Sequence, residues 1–142
     1  MTVGLLAVPF GSALYTFQYA EGASYLSEDP TACANCHIMR ETFDDWNRGE
    51  HAHAATCNDC HVPRDFVGKW LTKAENGWNH SLAMTLGDVP PNISARAASR
   101  RVALQNCVEC HAPILGDTHE GGSSGREALD CLQCHRSIGH PH

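Results

Sequence analysis

Four copies of Cys-x-x-Cys-His carry the chemistry of this chain: Cys33-Ala-Asn-Cys36-His37, Cys57-Asn-Asp-Cys60-His61, Cys107-Val-Glu-Cys110-His111 and Cys131-Leu-Gln-Cys134-His135. In such a motif two thiols form thioethers to a porphyrin, and the adjacent histidine turns beneath the ring to bind iron. All eight cysteines fall inside the four motifs. Zinc sites built from paired CxxC units would give no reason for a histidine after every second cysteine. A disulfide framework would not repeat one spacing four times. The expectation is a tetrahaem cytochrome with four covalently bound c-type haems.

Four irons need up to eight axial ligands, and the motifs offer His37, His61, His111 and His135. Outside them stand His51, His53, His80, His119, His140 and His142, with Met39, Met84, Lys69 and Lys73 as further candidates. Supply exceeds demand, so no spare histidine is a ligand by default. Met39 lies two residues after His37 and therefore beside the first porphyrin. Its thioether either packs on the ring edge or binds the first iron in place of His37, which would raise that haem's potential relative to bis-histidine ligation.

The elements that must position these groups are expected to be short helices and loops wrapped around the haems, since strand alternation is scarce and Gly, Pro, Asn and Asp interrupt the chain often. The motifs begin 24, 50 and 24 residues apart, which places the haems in two close pairs around a longer middle segment. Helices are predicted over 40–50, over 64–76 with a stop at Gly77, and over 94–106 leading into the third motif. Lys69 and Lys73, the only lysines, are four apart and share a helix face.

Aromatic residues make up 7% of the 142 residues, too few for a conventional core. The haem faces must supply much of the buried apolar surface, and the chain without them should not fold. The formal charge of −6 argues against nucleic acid as a partner. Haem attachment places the domain outside the cytoplasmic membrane. Residues 3–20 carry no charge and include Leu5, Leu6, Val8, Phe10, Leu14, Tyr15, Phe17 and Tyr19. This segment reads as a single membrane helix near the lower length limit, interrupted by Pro9, with an interfacial aromatic group at its carboxyl end. A cleaved signal peptide is the rival, although a cationic leading region is missing. The expected organisation is an anchor over 1–24, in contact with membrane lipid, and a tetrahaem domain over 25–142 facing the periplasm.

The run from Tyr15 to Pro30, followed by Cys33-Ala-Asn-Cys36-His37-Ile-Met39, resembles the small subunit of cytochrome c nitrite reductase, within a family of membrane-anchored tetrahaem quinol dehydrogenases. The resemblance covers nearly the whole chain. It implies a mainly α, loop-rich multihaem fold on one transmembrane helix, anchored in the inner membrane. It implies oxidation of menaquinol and delivery of electrons to a periplasmic multihaem catalytic subunit that reduces nitrite to ammonia. It further implies that Met39, not His37, binds the first iron and that His61 binds the second. His51 and His140 match distal positions serving His111 and His135 on the third and fourth haems, and the second haem can receive a lysine from the partner. By the same resemblance Lys73, twelve residues after His61, holds the quinol. His80 falls where relatives place a carboxylate over the first haem, and there it could accept a proton, shield the iron or bind it. Lys69 and Asp88 are secondary candidates, while His53, His119 and His142 are not needed as ligands.

Two other classes meet the same motifs. A soluble tetrahaem shuttle would follow if the apolar amino end were removed. A quinone-reducing cytochrome fed by a hydroxylamine-oxidising enzyme would run the same wire backwards.

Overall fold

The computed structural model describes residues 2–90, 93–115 and 130–140, and every described element is helical. Helix α1 spans Thr2–Tyr19, α2 Arg40–Arg48, α3 Cys57–His61, α4 Phe66–Leu86, α5 Ala97–Leu115 and α6 Cys131–Cys134. Single 3-10 turns occupy Gly22–Leu26, Pro30–Asn35, His37–Met39 and Glu50–His53. The loop-rich, mainly α expectation holds.

Helix α1 runs through Pro9 without a break. Proline removes one backbone donor and crowds the preceding turn, yet the remaining apolar residues keep the helix continuous. From Leu5 to Tyr19 its side chains are exposed. Its carboxyl end folds onto the Gly22–Leu26 turn, where Phe17 occupies the space a Cβ on Gly22 would need, 2.3 Å away. No described helix is long and apolar enough to cross a membrane. At about 1.5 Å per residue, the 18 residues of α1 fall just short of a hydrocarbon core of about 30 Å.

Helix α2 ends at Gly49, close to expectation. Helix α4 differs: it does not stop at Gly77 but continues to Leu86. Gly77 lies inside the helix with the Tyr25 ring beside it, 3.6 Å from where a Cβ would sit. The stop lies ten residues later at Gly87, whose φ of 70° is the left-handed cap that favours glycine. At its other end Asp65 accepts from Gly68 N at 2.7 Å, a side-chain cap that satisfies one of the orphan amides. Helix α5 likewise outruns the expected 94–106, passing through the whole third motif and Pro113. The third Cys-x-x-Cys-His motif lies wholly within α5, so the approach helix and the motif merge.

Side chains fill little of the interior. Val62, 6% exposed, is the one buried hydrophobic residue among those described. Asn106, also buried, donates to Cys60 O at 3.1 Å and to Val62 O at 3.0 Å, locking α5 onto α3. Asp130 caps α6 by accepting from Leu132 N and pairs with Arg100, which ties α6 back to α5.

Candidate functional site

Each attachment motif is set by its own local device. Before α3, Thr56 and Asp59 form a reciprocal capping box that fixes the helical turn of Cys57–His61. Before the first motif, Asp29 accepts from Thr31 N at 2.9 Å and Pro30 opens the 3-10 turn carrying Cys33. None of the eight cysteines is in a disulfide. The motifs meet in sequence order. As free thiols Cys33 and Cys57 share a hydrogen bond that pulls Cys33 down to about 7 and pushes Cys57 up. Cys60 feels Cys107 and Cys110, and Cys107 feels Cys131.

Two histidine pairs face each other across the structure. His51 and His111 have ring centroids 6.1 Å apart at 66°, and His61 and His140 are 6.0 Å apart and nearly parallel at 7°. A metal–imidazole bond is about 2 Å, so two imidazoles on opposite sides of one metal place their centroids roughly 6 Å apart. Both separations match. His51 also carries the only buried side-chain nitrogen or oxygen, Nδ1, without a hydrogen-bond partner among the described residues. His61 is surrounded by protein yet solvent-accessible, as a residue lining a hollow would be. Its pKa is lowered by burial and then by the His140 charge, which keeps the imidazole in the neutral form that binds metals. With an interior that side chains do not fill, these residues fit haem.

The positions come from separate elements. His51 stands on the Glu50–His53 turn, held by Trp46 Nε1 donating to Ala55 O at 3.1 Å. The resemblance implied that His51 and His140 serve the third and fourth motifs and that a partner completes the second. The structure instead sets His140 against His61 of the second motif, and His51 against His111 of the third. His135 of the fourth is exposed. At the first motif Met39 is half-buried and His37 exposed, both in the turn that leads into α2. His53 is exposed, and His119 and His142 lie outside the described residues.

Lys73 and His80 line one face of α4, seven residues apart, opposite the segment that precedes the first motif. Lys73, 6% exposed, donates from Nζ to Ser27 O at 2.9 Å and to Glu28 Oε1 at 2.8 Å. Lys69 Nζ reaches the same carboxylate oxygen at 2.8 Å, and the Lys73 ammonium lies 5.5 Å from the Trp70 ring centroid. The hydrogen bonds from Lys69 and then Lys73 hold the Glu28 carboxyl down to about 2. His80 Nδ1 is 2.8 Å from Tyr25 Oη. Asp88 is exposed in the turn beyond Gly87. Glu28 and Tyr25 are absent from the residues singled out by motif. A lone carboxylate and a lone phenol carry no spacing signal, and only the packing of α4 on the 22–28 segment reveals them.

Eight thiols in four Cys-x-x-Cys-His motifs, with opposed imidazole pairs among helices that lack a filled core, define a c-type cytochrome. The chain belongs to the NapC/NirT cytochrome c family, whose N-terminal-region model matches residues 1–142. It is 34% identical to the cytochrome c-type protein NrfH of Wolinella succinogenes, over 96% of this chain and 82% of that protein. To the cytochrome c nitrite reductase subunit NrfH of Nitratidesulfovibrio vulgaris it is 31% identical, over 85% of this chain and 72% of that protein. A solved structure of the cytochrome c nitrite reductase NrfHA complex bound to the HQNO inhibitor contains a chain that superposes with a TM-score of 0.69 at 26% identity, covering 97% of this chain and 89% of that one.

Proposed function

We propose that this chain is the membrane-anchored tetrahaem quinol dehydrogenase of a nitrite-reducing system, oxidising menaquinol and delivering electrons to a periplasmic cytochrome c nitrite reductase catalytic subunit. The observation that carries the reading is the likeness, over nearly the full length of both chains, to a cytochrome solved in the NrfHA nitrite reductase complex. The exposed apolar helix α1 is the inner-membrane anchor, and the domain that follows faces the periplasm.

When bound, the four haems supply one-electron carriage in series, which a two-electron quinol requires. The chain holds them through Cys33 and Cys36, Cys57 and Cys60, Cys107 and Cys110, and Cys131 and Cys134. Met39 is the ligand at the first motif, in place of His37. His61 with His140 would hold the second iron, and His111 with His51 the third, as the ring separations of 6.0 and 6.1 Å support. His135 would hold the fourth. Lys73 keeps a third ammonium proton beyond the two donated to Ser27 and Glu28. That proton would go to a quinol oxygen, while Lys69 shares the Glu28 carboxylate at 2.8 Å.

Reconstituting the haem-loaded chain in liposomes with the reductase and a reduced menaquinol tests this. Haem reduction should follow quinol addition, and nitrite should be consumed only with both proteins present. A chain that stays oxidised under menaquinol overturns the reading.

A further inference from the structure

Helix α4 carries an apolar stripe that the described residues leave open. Val67, Leu71, Trp78 and Leu82 are between 44% and 70% exposed. At 3.6 residues per turn, their spacing of four, seven and four sets them within roughly 60° of arc, and Ala74 completes the row. Lys73, Gly77 and His80 lie on the other side of the helix. There Lys73 donates to Ser27 O at 2.9 Å, the Tyr25 ring packs beside Gly77, and Tyr25 Oη meets His80 Nδ1 at 2.8 Å. The segment that leads to the first attachment motif therefore occupies one side of α4, and the stripe points away from it. No charged residue interrupts the stripe, and Glu75 on its flank is paired with Arg96 at 2.8 Å.

What meets the stripe follows from where α1 ends. Only Ala20 and Glu21 separate Tyr19, the last residue of α1, from the Gly22–Leu26 turn. Phe17 of α1 packs against Gly22 on one side of that turn, and Tyr25 on the other side packs against Gly77 of α4. A bilayer around the exposed apolar side chains of α1 therefore reaches its headgroup boundary beside α4. Helix α4 does not itself cross, since Lys69, Lys73, Glu75 and His80 all fall within it. A helix with one apolar face and one polar face, held at that depth, lies in the plane of the boundary. Tryptophan favours the same level, and Trp78 stands near the middle of the stripe.

We propose that the outer stripe of α4, formed by Val67, Leu71, Trp78 and Leu82, is a second membrane contact, seated in the headgroup boundary of the bilayer that holds α1. This rests on the reading of α1 as the anchor. A single helix tethers the domain to the membrane but leaves it free to tilt. With α4 lying flat beside the tether, the side of the domain that faces lipid is fixed, and the opposite side is left for a soluble partner.

The test places the full, haem-loaded chain in liposomes of phosphatidylethanolamine and phosphatidylglycerol that contain a phospholipid with a photoreactive diazirine high in one acyl chain. After illumination, lipid adducts are mapped by peptide mass spectrometry. Adducts are expected on α1 and at the four stripe positions, at least tenfold above those on the polar helix α2. In the double variant Leu71→Gln with Trp78→Gln, adducts at Val67 and Leu82 should fall at least fivefold, while those on α1 and the haem spectra stay unchanged. Adding the reductase subunit should leave the labelling of α4 as it was. Adducts on α1 with none on α4 above the α2 level overturn this inference alone, and mean that a porphyrin or a second copy covers the stripe. Labelling of α4 that the reductase abolishes makes the stripe a protein-docking face and overturns it equally. Labelling of Val67 and Leu82 that survives both substitutions overturns the stripe as what seats α4. Absence of adducts from α1 overturns the anchor reading and this inference together.

Discussion

At the scale of single residues, histidines of similar appearance separate by what each ring faces. His53 is exposed, whereas His51, two residues earlier, has a buried Nδ1 without a hydrogen-bond partner and a ring 6.1 Å from that of His111. Replacing His140 by methionine should raise the midpoint potential of one haem, since thioether ligation favours the reduced iron. His51→Ala should convert a different haem from low spin to high spin. Electron paramagnetic resonance with redox titration checks both, and a His140 variant with every low-spin signal and potential intact would remove His140 from the second site. The Lys69–Glu28–Lys73 cluster gives a second prediction. The Glu28 pKa is lowered from 4.5 to about 2, so its contribution to stability is fully present above about pH 4.5 and is lost as pH falls through 2. Glu28→Gln should flatten that part of the acid stability profile. Lys73→Met should cost about 1–2 kcal/mol at neutral pH through two lost hydrogen bonds, by denaturant titration followed through circular dichroism. The cysteines and the motif histidines were legible in the sequence because covalent chemistry demands an exact spacing. The pairing of distal histidines was not, because His51, on a 3-10 turn, and His140, in the bend after α6, meet partners on other elements whose relative placement no local pattern encodes.

At the scale of elements, the two glycines of α4 show why helix ends were harder to read than helix existence. Gly77 carries the sequence signature of a stop, but its backbone is helical and the Tyr25 ring packs beside it. Gly87, at φ 70°, is the true stop. Alanine at 87 should therefore destabilise the chain by about 1 kcal/mol, through a left-handed conformation that L residues resist. Alanine at 77 relieves the helix-interior cost of glycine, also about 1 kcal/mol, and its Cβ meets the Tyr25 ring at an ordinary 3.6 Å. Gly77→Ala should accordingly be neutral or stabilising. Thermal unfolding of the two haem-loaded variants, compared directly, checks the opposite signs. Helix α5 outran its expected boundary for a related reason, since nothing in the approach to Cys107 breaks the pattern and Asn106 anchors the helix from within by bonding to Cys60 O and Val62 O.

At the scale of the whole molecule, the helices are arranged around what they bind more than around one another. The described residues bury a single hydrophobic side chain, Val62, while Phe66, Leu71, Trp78 and Ile114 remain more than 65% exposed. A polypeptide must offset roughly 1–2 kcal/mol of backbone entropy per ordered residue, and this one lacks the buried apolar area to do so unaided. The polar links that hold the parts in order, Asn106 to α3 and Arg100 to Asp130, orient elements but do not replace a core. The porphyrin faces must supply it, which makes attachment of the haems and folding of the domain one event. Replacing all eight cysteines by serine should then give a chain that retains helix in the apolar segment 2–19 when supplied with detergent, while residues 25–142 lose amide protection. Hydrogen exchange resolved along the sequence distinguishes the two regions. Protection of α3, α4 and α5 in the serine variant at the level of the haem-loaded protein would mean that the side chains alone specify the fold. Loss confined to the individual motifs would mean that each haem stabilises only its own turn. The contiguous meeting of motifs from Cys33 and Cys57 through Cys60 and Cys107 to Cys131 predicts neither. Removing one attachment site should weaken its neighbours, so that Cys107→Ser with Cys110→Ser lowers protection at α3 and α6 as well as in α5.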